Sequence, residues 1–224
     1  MSAGVEGEQP APGRVRVKIC GLTRPDDAVA AERAGADAIG MIFAPSKRCL
    51  ELPAAAEIIA AVGPFVTTVG VFRDAQLETV IDTLEQLRLD VAQLHGGEGA
   101  SYVAAVRRHA RVLKAFSHTE VPDPASLRDH PADAFLLDGP RPGSGEPYDW
   151  RAVAAWRGHP RLVLAGGLNP ANVAEAVTTL RPYAVDVASG VERTAGVKDH
   201  DLVRRFVEQV RAAERSASPA APTG

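Results

Sequence analysis

The chain holds only two cysteines, Cys20 and Cys49, in 224 residues. Two thiols build no disulfide framework, and a reducing cytoplasm is the default setting for such a composition. No apolar run approaches the ~20 residues of a membrane span, so no membrane partner is expected. The opening "MSAGVEGEQPAPG" lacks the basic-then-apolar order of a secretory signal. Charge of one sign is not in excess. The 25 Lys and Arg face 28 Asp and Glu, a formal net charge of -3, which gives no electrostatic reason to expect a nucleic-acid partner. The six histidines show neither HExxH nor any paired ligand spacing, so no metal is expected. A G-x-G-x-x-G fingerprint after the first apolar run is also missing, which argues against an open dinucleotide-binding sheet.

What the chain does have is a rhythm. Eight β-like runs begin at Val15 (VRVKICG), Asp37 (DAIGMIF), Phe65 (FVTTVGVF), Asp90 (DVAQLHG), Arg111 (RVLKAFS), Asp133 (DAFLLDG), Arg161 (RLVLAGG) and Tyr183 (YAVDVASG). Between them lie mostly alanine-rich amphipathic stretches. "RPDDAVAAERAG" has Asp26 and Asp27 in a first turn and Gly35 at a stop. "AQLETVIDTLEQLR" spaces Leu77, Val80, Ile81, Leu84 and Leu87 as a helix does. "NPANVAEAVTTL" offers Asn169 as N-cap and Pro170 at the first helical position. The fifth connection, "HTEVPDPASLRDHPA", carries three prolines and is the weakest helix. Strand–helix alternation implies a parallel sheet, and eight units in this length predict a closed (β/α)8 TIM barrel. The domain is expected over 14–215, with disordered tails at 1–13 and 216–224, where Ser, Pro, Ala and Gly leave nothing to bury.

Chemistry in such barrels sits at the C-terminal ends of the strands. Those ends carry Lys18 and Cys20, then Lys47 and Arg48, Gln93 and His95, Asp138, the AGGLN run, and Asp186 before Ser189 and Gly190. Gly166 and Gly167 after the seventh strand, with Ser189 and Gly190 after the eighth, suit a phosphate held by backbone N–H groups. Gly143, Ser144 and Gly145 form a third such loop. Cys49 reads as a small buried hydrophobe. Cys20 differs, because Lys18 shares its face of the strand, and a nearby cation lowers a thiol's pKa. Asp138 ends an apolar strand, where a carboxyl is costly unless paired or working. Lys18 needs a counter-charge. Closure would set the eighth strand beside the first, so a Lys18–Asp186 ion pair is expected. His95 reads equally as a loop anchor or a site residue.

"VRVKICGLTRPDDA", "PSKR", "VGVF", "VAQLHG", "LLDG...GSG...YDW", "LAGGLNPANV" and "AVDVASGVE...GVKDHD" together resemble the phosphoribosylanthranilate isomerase family of tryptophan biosynthesis. The similarity runs from about Val15 to Arg211. It implies an Amadori rearrangement of N-(5-phospho-β-D-ribosyl)anthranilate to 1-(2-carboxyphenylamino)-1-deoxy-D-ribulose 5-phosphate, with no cofactor and no metal. By motif, Cys20 corresponds to the general base, Asp138 to the general acid and Arg48 to the holder of the anthranilate carboxylate. The glycine loops after strands six, seven and eight correspond to the phosphate cradle. The substrate is then a small phosphosugar. No exposed apolar stripe stands out, so a monomer is expected rather than a homodimer.

The chain departs from the family pattern at Cys49, where an aromatic residue is common, at Pro142 before Gly143, and at Val187-Ala188 before Ser189. None of these removes a catalytic group. Related isomerases of a histidine-pathway intermediate use two aspartates, one of them on the first strand, and Cys20 in that place argues against that activity. An epimerase would need metal ligands. A non-catalytic binding barrel would be free to lose Cys20 or Asp138, and both are present. A duplicated copy serving a secondary pathway would look the same.

Overall fold

The computed structural model of the chain describes residues 14–121, 123–139 and 149–217. Eight strands run parallel: β1 (Arg16–Cys20), β2 (Ala38–Ile42), β3 (Thr67–Phe72), β4 (Val91–Leu94), β5 (Arg111–Ser117), β6 (Ala134–Asp138), β7 (Leu162–Leu164) and β8 (Ala184–Val187). Each pairs with the next, and β8 pairs back onto β1, so the sheet closes into a barrel. Closure removes every edge from the main sheet. Alternation then decides what lies inside. On β1, Val17 and Ile19 are fully buried in the layer shared with the helices. Lys18 and Cys20 point to the interior with the small cluster of Leu113, Ala115, Leu136, Val163, Ala165 and Ala184.

The outer layer holds α1 (Pro25–Ala34), α2 (Leu52–Ala60), α3 (Leu77–Leu87), α4 (Ala100–Val106), α5 (Val173–Leu180) and α6 (His200–Ala217). Gly35 ends α1 at φ 92, a left-handed conformation that glycine adopts freely. On α3, Val80, Leu84 and Leu87 are buried as their spacing predicts. The proline-rich fifth connection forms only a 3₁₀ turn, Pro124–Leu127, and the sixth a kinked 3₁₀ segment, Trp150–Trp156. Aromatic bulk covers β6 instead of long helices. Fully buried Trp156 meets Phe135 edge-on, with centroids 5.9 Å apart, and its Nε1 donates to Val121 O at 3.0 Å.

Two local expectations change. α5 starts at Val173, not at Pro170, with Asn172 at its N-cap position. Asn169 Oδ1 accepts from Ala171 N at 2.8 Å, while Asn172 Oδ1 accepts from Asn169 N at 2.8 Å. The two amides tie 169–172 into a turn, because short polar side chains compete with the helix for its own N–H groups. Cys49 is exposed, not buried. Its N–H closes onto Ser46 O at 3.3 Å, in a turn whose residues 45–47 are all exposed. The tail expected at 1–13 and residues 218–224 of the one expected at 216–224 lie outside the described residues, whereas Ser216 and Ala217, expected in that disordered tail, continue α6.

Three aspartates clamp the N-terminal end of the barrel. Asp37, Asp90 and Asp133 each stand just before an even-numbered strand. Each accepts from a backbone N–H of the preceding odd strand: Val17 N, Thr68 N and Val112 N, all at 2.8 Å. At Asp133 burial alone would raise the pKa, but the Val112 N–H and the Arg107 guanidinium prevail and hold it below the ordinary 3.8. The folded pKa is therefore the lower one. Its stabilisation is fully present above the unfolded value and is lost as pH falls through the folded value. Asp133→Asn should cost about 1 kcal/mol at pH 7. The gap to wild type should narrow below pH 3.8, read from urea midpoints across that range. A gap that stays constant with pH would assign the loss to shape rather than charge.

Candidate active site

At the C-terminal mouth, Cys20 (β1), Arg48 (after β2), Gln93 (β4), His95, Asp138 (β6), Gly166, Gly167, Asp186 (β8) and Ser189 line one cleft. Lys18 lies beneath its floor, 4% exposed, and its Nζ meets Asp186 Oδ1 at 2.9 Å. The register of closure sets Lys18 directly opposite Asp186. A second hollow of about 460 Å³, at the N-terminal end among Arg16, Arg111, Arg161 and Tyr183, holds none of these acid–base groups except Lys18.

Cys20 is 6% exposed. Gly40 on the neighbouring β2 makes room for it. A Cβ there would stand 2.8 Å from Cys20 Sγ and 3.1 Å from Lys18 Nζ. The expected effect of Lys18 on the thiol is present but does not prevail. Burial pushes the Cys20 pKa up, the Lys18 charge and hydrogen bond pull it down, Asp186 pushes it up again, and the net direction is upward. Lys18 itself is raised. Burial works against its charge, but Asp186 and Cys20 outweigh it, so the ammonium is the charged member of the thiol–amine pair.

Asp138 Oδ1 accepts from Gly139 N at 2.7 Å, and its Oδ2 lies 3.3 Å from His95 Nε2. That spacing is an ion-pair distance, but the atoms are not aligned as a hydrogen bond. His95 Nδ1 lies 2.9 Å from Gln93 Nε2. With the amide as donor, Nδ1 accepts and the neutral ring carries its proton on Nε2, toward the carboxyl. Gln93 thus orients His95, and His95 faces Asp138. The loop under His95 is held by buried Lys114, whose Nζ donates to Gly96 O at 2.7 Å and to Glu98 Oε2 at 3.1 Å.

The glycines after β7 and β8 have different reasons to be there. Gly166 and Gly167 line the cleft at φ 86 and 65, a left-handed backbone that glycine adopts freely. Gly190 is set by packing: a Cβ there would overlap the Leu168 carbonyl of the neighbouring loop. Gly190 is not on the cleft wall. The expected loop of Gly143, Ser144 and Gly145 lies outside the described residues.

Arg48 brings a partner that the strand-end reading missed. Its Nε and Nη2 donate to Glu192 Oε1 and Oε2 at 2.8 and 2.7 Å. Glu192 opens a small hairpin, β9 (Glu192–Thr194) and β10 (Val197–Lys198), and Lys198 Nζ also reaches Glu192 Oε1 at 2.8 Å. The run "GVERTAGVK" carries the signal: two apolar–charged pairs around Gly196, the mark of a hairpin. Nothing in it says that the charged side chains turn inward. Among the described residues, no three His, Cys, Asp or Glu side chains gather as a metal site would require.

A closed barrel with a thiol on its first strand, a carboxyl on its sixth and glycine loops after its last two strands defines a (β/α)8 enzyme equipped for acid–base work on an anionic ligand. The comparisons name the family. The model of N-(5'-phosphoribosyl)anthranilate (PRA) isomerase matches residues 17–209, and the chain belongs to that family. It is 48% identical over 201 residues to the N-(5'-phosphoribosyl)anthranilate isomerase of Geobacter sp. (strain M21), covering 88% of this chain and 98% of that one. The crystal structure of the phosphoribosyl anthranilate isomerase of Thermus thermophilus superposes with a TM-score of 0.80 at 47% identity, covering 88% of this chain and 99% of that one. A further isomerase structure, in complex with reduced 1-(o-carboxyphenylamino)-1-deoxyribulose 5-phosphate, matches at 37% identity with a TM-score of 0.78, covering 88% and 99%.

Because burial holds the Cys20 thiol above its ordinary 9.0, it stays protonated at neutral pH before substrate binds. Alkylation by iodoacetamide should therefore strike exposed Cys49 first at pH 7.5. The pH–rate curve for Cys20, followed in a Cys49→Ser variant by mass spectrometry, should have its midpoint above 9.0. A midpoint well below that value would mean that the Lys18 charge prevails over burial.

Proposed function

We propose that this protein is a phosphoribosylanthranilate isomerase. It converts N-(5-phospho-β-D-ribosyl)anthranilate to 1-(2-carboxyphenylamino)-1-deoxy-D-ribulose 5-phosphate in the synthesis of tryptophan, with Cys20 as general base and Asp138 as general acid. The observation that carries the assignment of roles is the placing of a thiol and a carboxyl on β1 and β6 as walls of one cleft. Strands one and six are not neighbours in the barrel, so a sugar can lie between the two groups.

The steps follow from the groups present. Asp138 gives a proton to the furanose ring oxygen. The C1′–O bond breaks, and the nitrogen lone pair forms an iminium at C1′. Cys20 takes the proton from C2′, and the C–H electrons flow into the iminium to give an enol amine. Transfer of the enol proton to C1′ completes the ketone. No atom is gained or lost. The raised thiol pKa is compatible with this order: the cationic iminium beside the sulfur favours the thiolate, the thiol proton passes to solvent, and uptake of the C2′ proton restores the thiol. Arg48 supplies a planar fork for the anthranilate carboxylate. Gly166, Gly167 and Ser189 offer backbone N–H groups to the phosphate. His95, held by Gln93, stands beside Asp138 in the cleft, and Asp138 regains its proton from solvent after the ring has opened. Lys18 and Asp186 hold the floor.

The protein works as one domain and, in this reading, as a cytoplasmic monomer. No helix among the described residues is long and apolar enough to cross a membrane. Phe65 and Tyr183 are the large apolar side chains left open among those residues, and isolated ones are ordinary on monomer surfaces. Relatives differ in this respect, since the Thermotoga maritima isomerase is described as dimeric. Sedimentation at micromolar concentration decides the matter, and a mass twice that of the chain would overturn the monomer.

Supplied with phosphoribosylanthranilate, the wild type should turn it over, and Cys20→Ala and Asp138→Asn should each lose on the order of 10²–10⁴ in kcat. The loss of anthranilate-type fluorescence is the measurement. Full activity in either variant would remove the role given to that residue, and an inactive wild type would remove the function itself.

A further inference from the structure

Arg48 presents a guanidinium with two forked edges. One of them, Nε with Nη2, is already filled by Glu192 at 2.8 and 2.7 Å. The other, Nη1 with the outer hydrogen of Nη2, is the edge left for a ligand. The arginine is also pressed into place from the other side. It lies across Gly21, at φ 72, where a Cβ would stand 2.5 Å from Arg48 Cδ. A neutral Arg–Glu pair by itself offers little attraction to a further carboxylate. Lys198 changes the balance. Its side chain is 0% exposed, and its Nζ donates to Glu192 Oε1 at 2.8 Å and to Ala188 O at 3.1 Å. Two cations then share one carboxylate, and the cluster keeps a single net positive charge.

We propose that Glu192 and Lys198 are positioning residues for the substrate's aryl carboxylate: Glu192 turns Arg48 so that its free edge serves the cleft, and Lys198 restores the positive charge that Glu192 would otherwise cancel. The proposal deepens the reading of Arg48 given above and rests on it. Burial brings the Lys198 pKa below its ordinary 10.5, although Glu192 and Cys20 pull it up, so the charge given to Lys198 rests on its donation to Glu192 Oε1 and Ala188 O. Burial raises and the two cations lower the Glu192 pKa, with a net fall, so Glu192 is ionised. The Glu192 hydrogen bond raises that of Arg48, so the fork stays charged.

The same cluster has a second reach. Ala188, whose carbonyl Lys198 holds, directly precedes Ser189 of the proposed phosphate loop. Thr23 Oγ1, just after β1, donates to Gly196 O of the hairpin at 2.5 Å. Lys198 N donates to buried Asp27 at 3.0 Å, and Asp27 also meets His200 Nε2 at 2.8 Å. The hairpin thus fixes the distance between the end of the cleft that takes a carboxylate and the end that takes a phosphate.

The test compares two substrates: phosphoribosylanthranilate and phosphoribosylaniline, which lacks only the carboxylate. Arg48→Met, Glu192→Gln and Lys198→Met are each assayed on both. For Glu192→Gln and Lys198→Met, the ratio of kcat/KM should move by about tenfold toward the aniline substrate, with the change in KM rather than kcat. Glu192→Asp, which keeps the charge but shortens the reach, should show the same direction and serves if Glu192→Gln does not fold. Equal losses on both substrates would make the hairpin merely structural and overturn the proposal. Discrimination lost in Arg48→Met but kept in the hairpin variants would overturn this inference alone. No discrimination lost in Arg48→Met would overturn the role of Arg48 itself.

Discussion

The Lys18 ammonium, buried inside the barrel, has to find a carboxylate, and the closure of the barrel provides it. Lys18 on β1 and Asp186 on β8 are 168 residues apart in sequence and 2.9 Å apart in space. Either charge left alone in the interior would cost several kcal/mol. The pair is neutral as a unit, but it is not silent. It forms the floor of the cleft, packs against Cys20, and sets the two charges that act on the thiol after burial has acted. Barrel closure and site electrostatics are therefore one constraint seen from two sides.

The thiol shows why magnitudes matter more than the presence of a neighbour. A lysine two residues away on the same face suggests a depressed pKa. In the folded protein the desolvation of a nearly closed pocket is larger, and Asp186 takes back part of what Lys18 gives. In the proposed mechanism the thiol is therefore a base masked until substrate binds. Unmasking it requires a positive charge placed close to the sulfur, and the iminium of the reaction supplies that charge on the carbon next to the proton to be removed. A permanently ionised thiolate would be the more exposed to alkylation and oxidation. A masked one confines its reactivity to turnover.

The sequence made the barrel legible because period-two alternation and strand count survive without any tertiary knowledge. The Lys18–Asp186 pair was legible for the same reason: once the fold is known to close, β8 must lie beside β1. Arg48 was legible as a strand-end cation, but not its partner. Glu192 lies in a hairpin outside the eight-fold repeat, and nothing local shows a glutamate turning inward. Cys49 and Asn169 misled through averages. Free cysteines are usually buried, and Asn before Pro usually caps a helix, but a turn over 45–47 lifts the first out and a second asparagine at 172 captures the second. The glycines were legible as a group and not by role. Gly166 and Gly167 answer to backbone conformation, whereas Gly190 answers to the carbonyl of another loop.

Three lysines in this protein are almost wholly buried: Lys18, Lys114 and Lys198. Each meets one carboxylate at 2.8–3.1 Å, from Asp186, Glu98 and Glu192 in turn. Such pairs add little net stability, because desolvation consumes most of the Coulomb gain. What they impose is geometry, and each imposes it on a different part of the cleft. Lys18 fixes the floor under the thiol. Lys114 fixes the loop that follows His95. Lys198 fixes the hairpin that aims Arg48. An apolar residue in any of these places would hold a strand or loop in roughly the same position. It would not set the charge felt by the neighbouring group, and the proposed mechanism, in which the site binds two anions and generates a cation between them, depends on that charge.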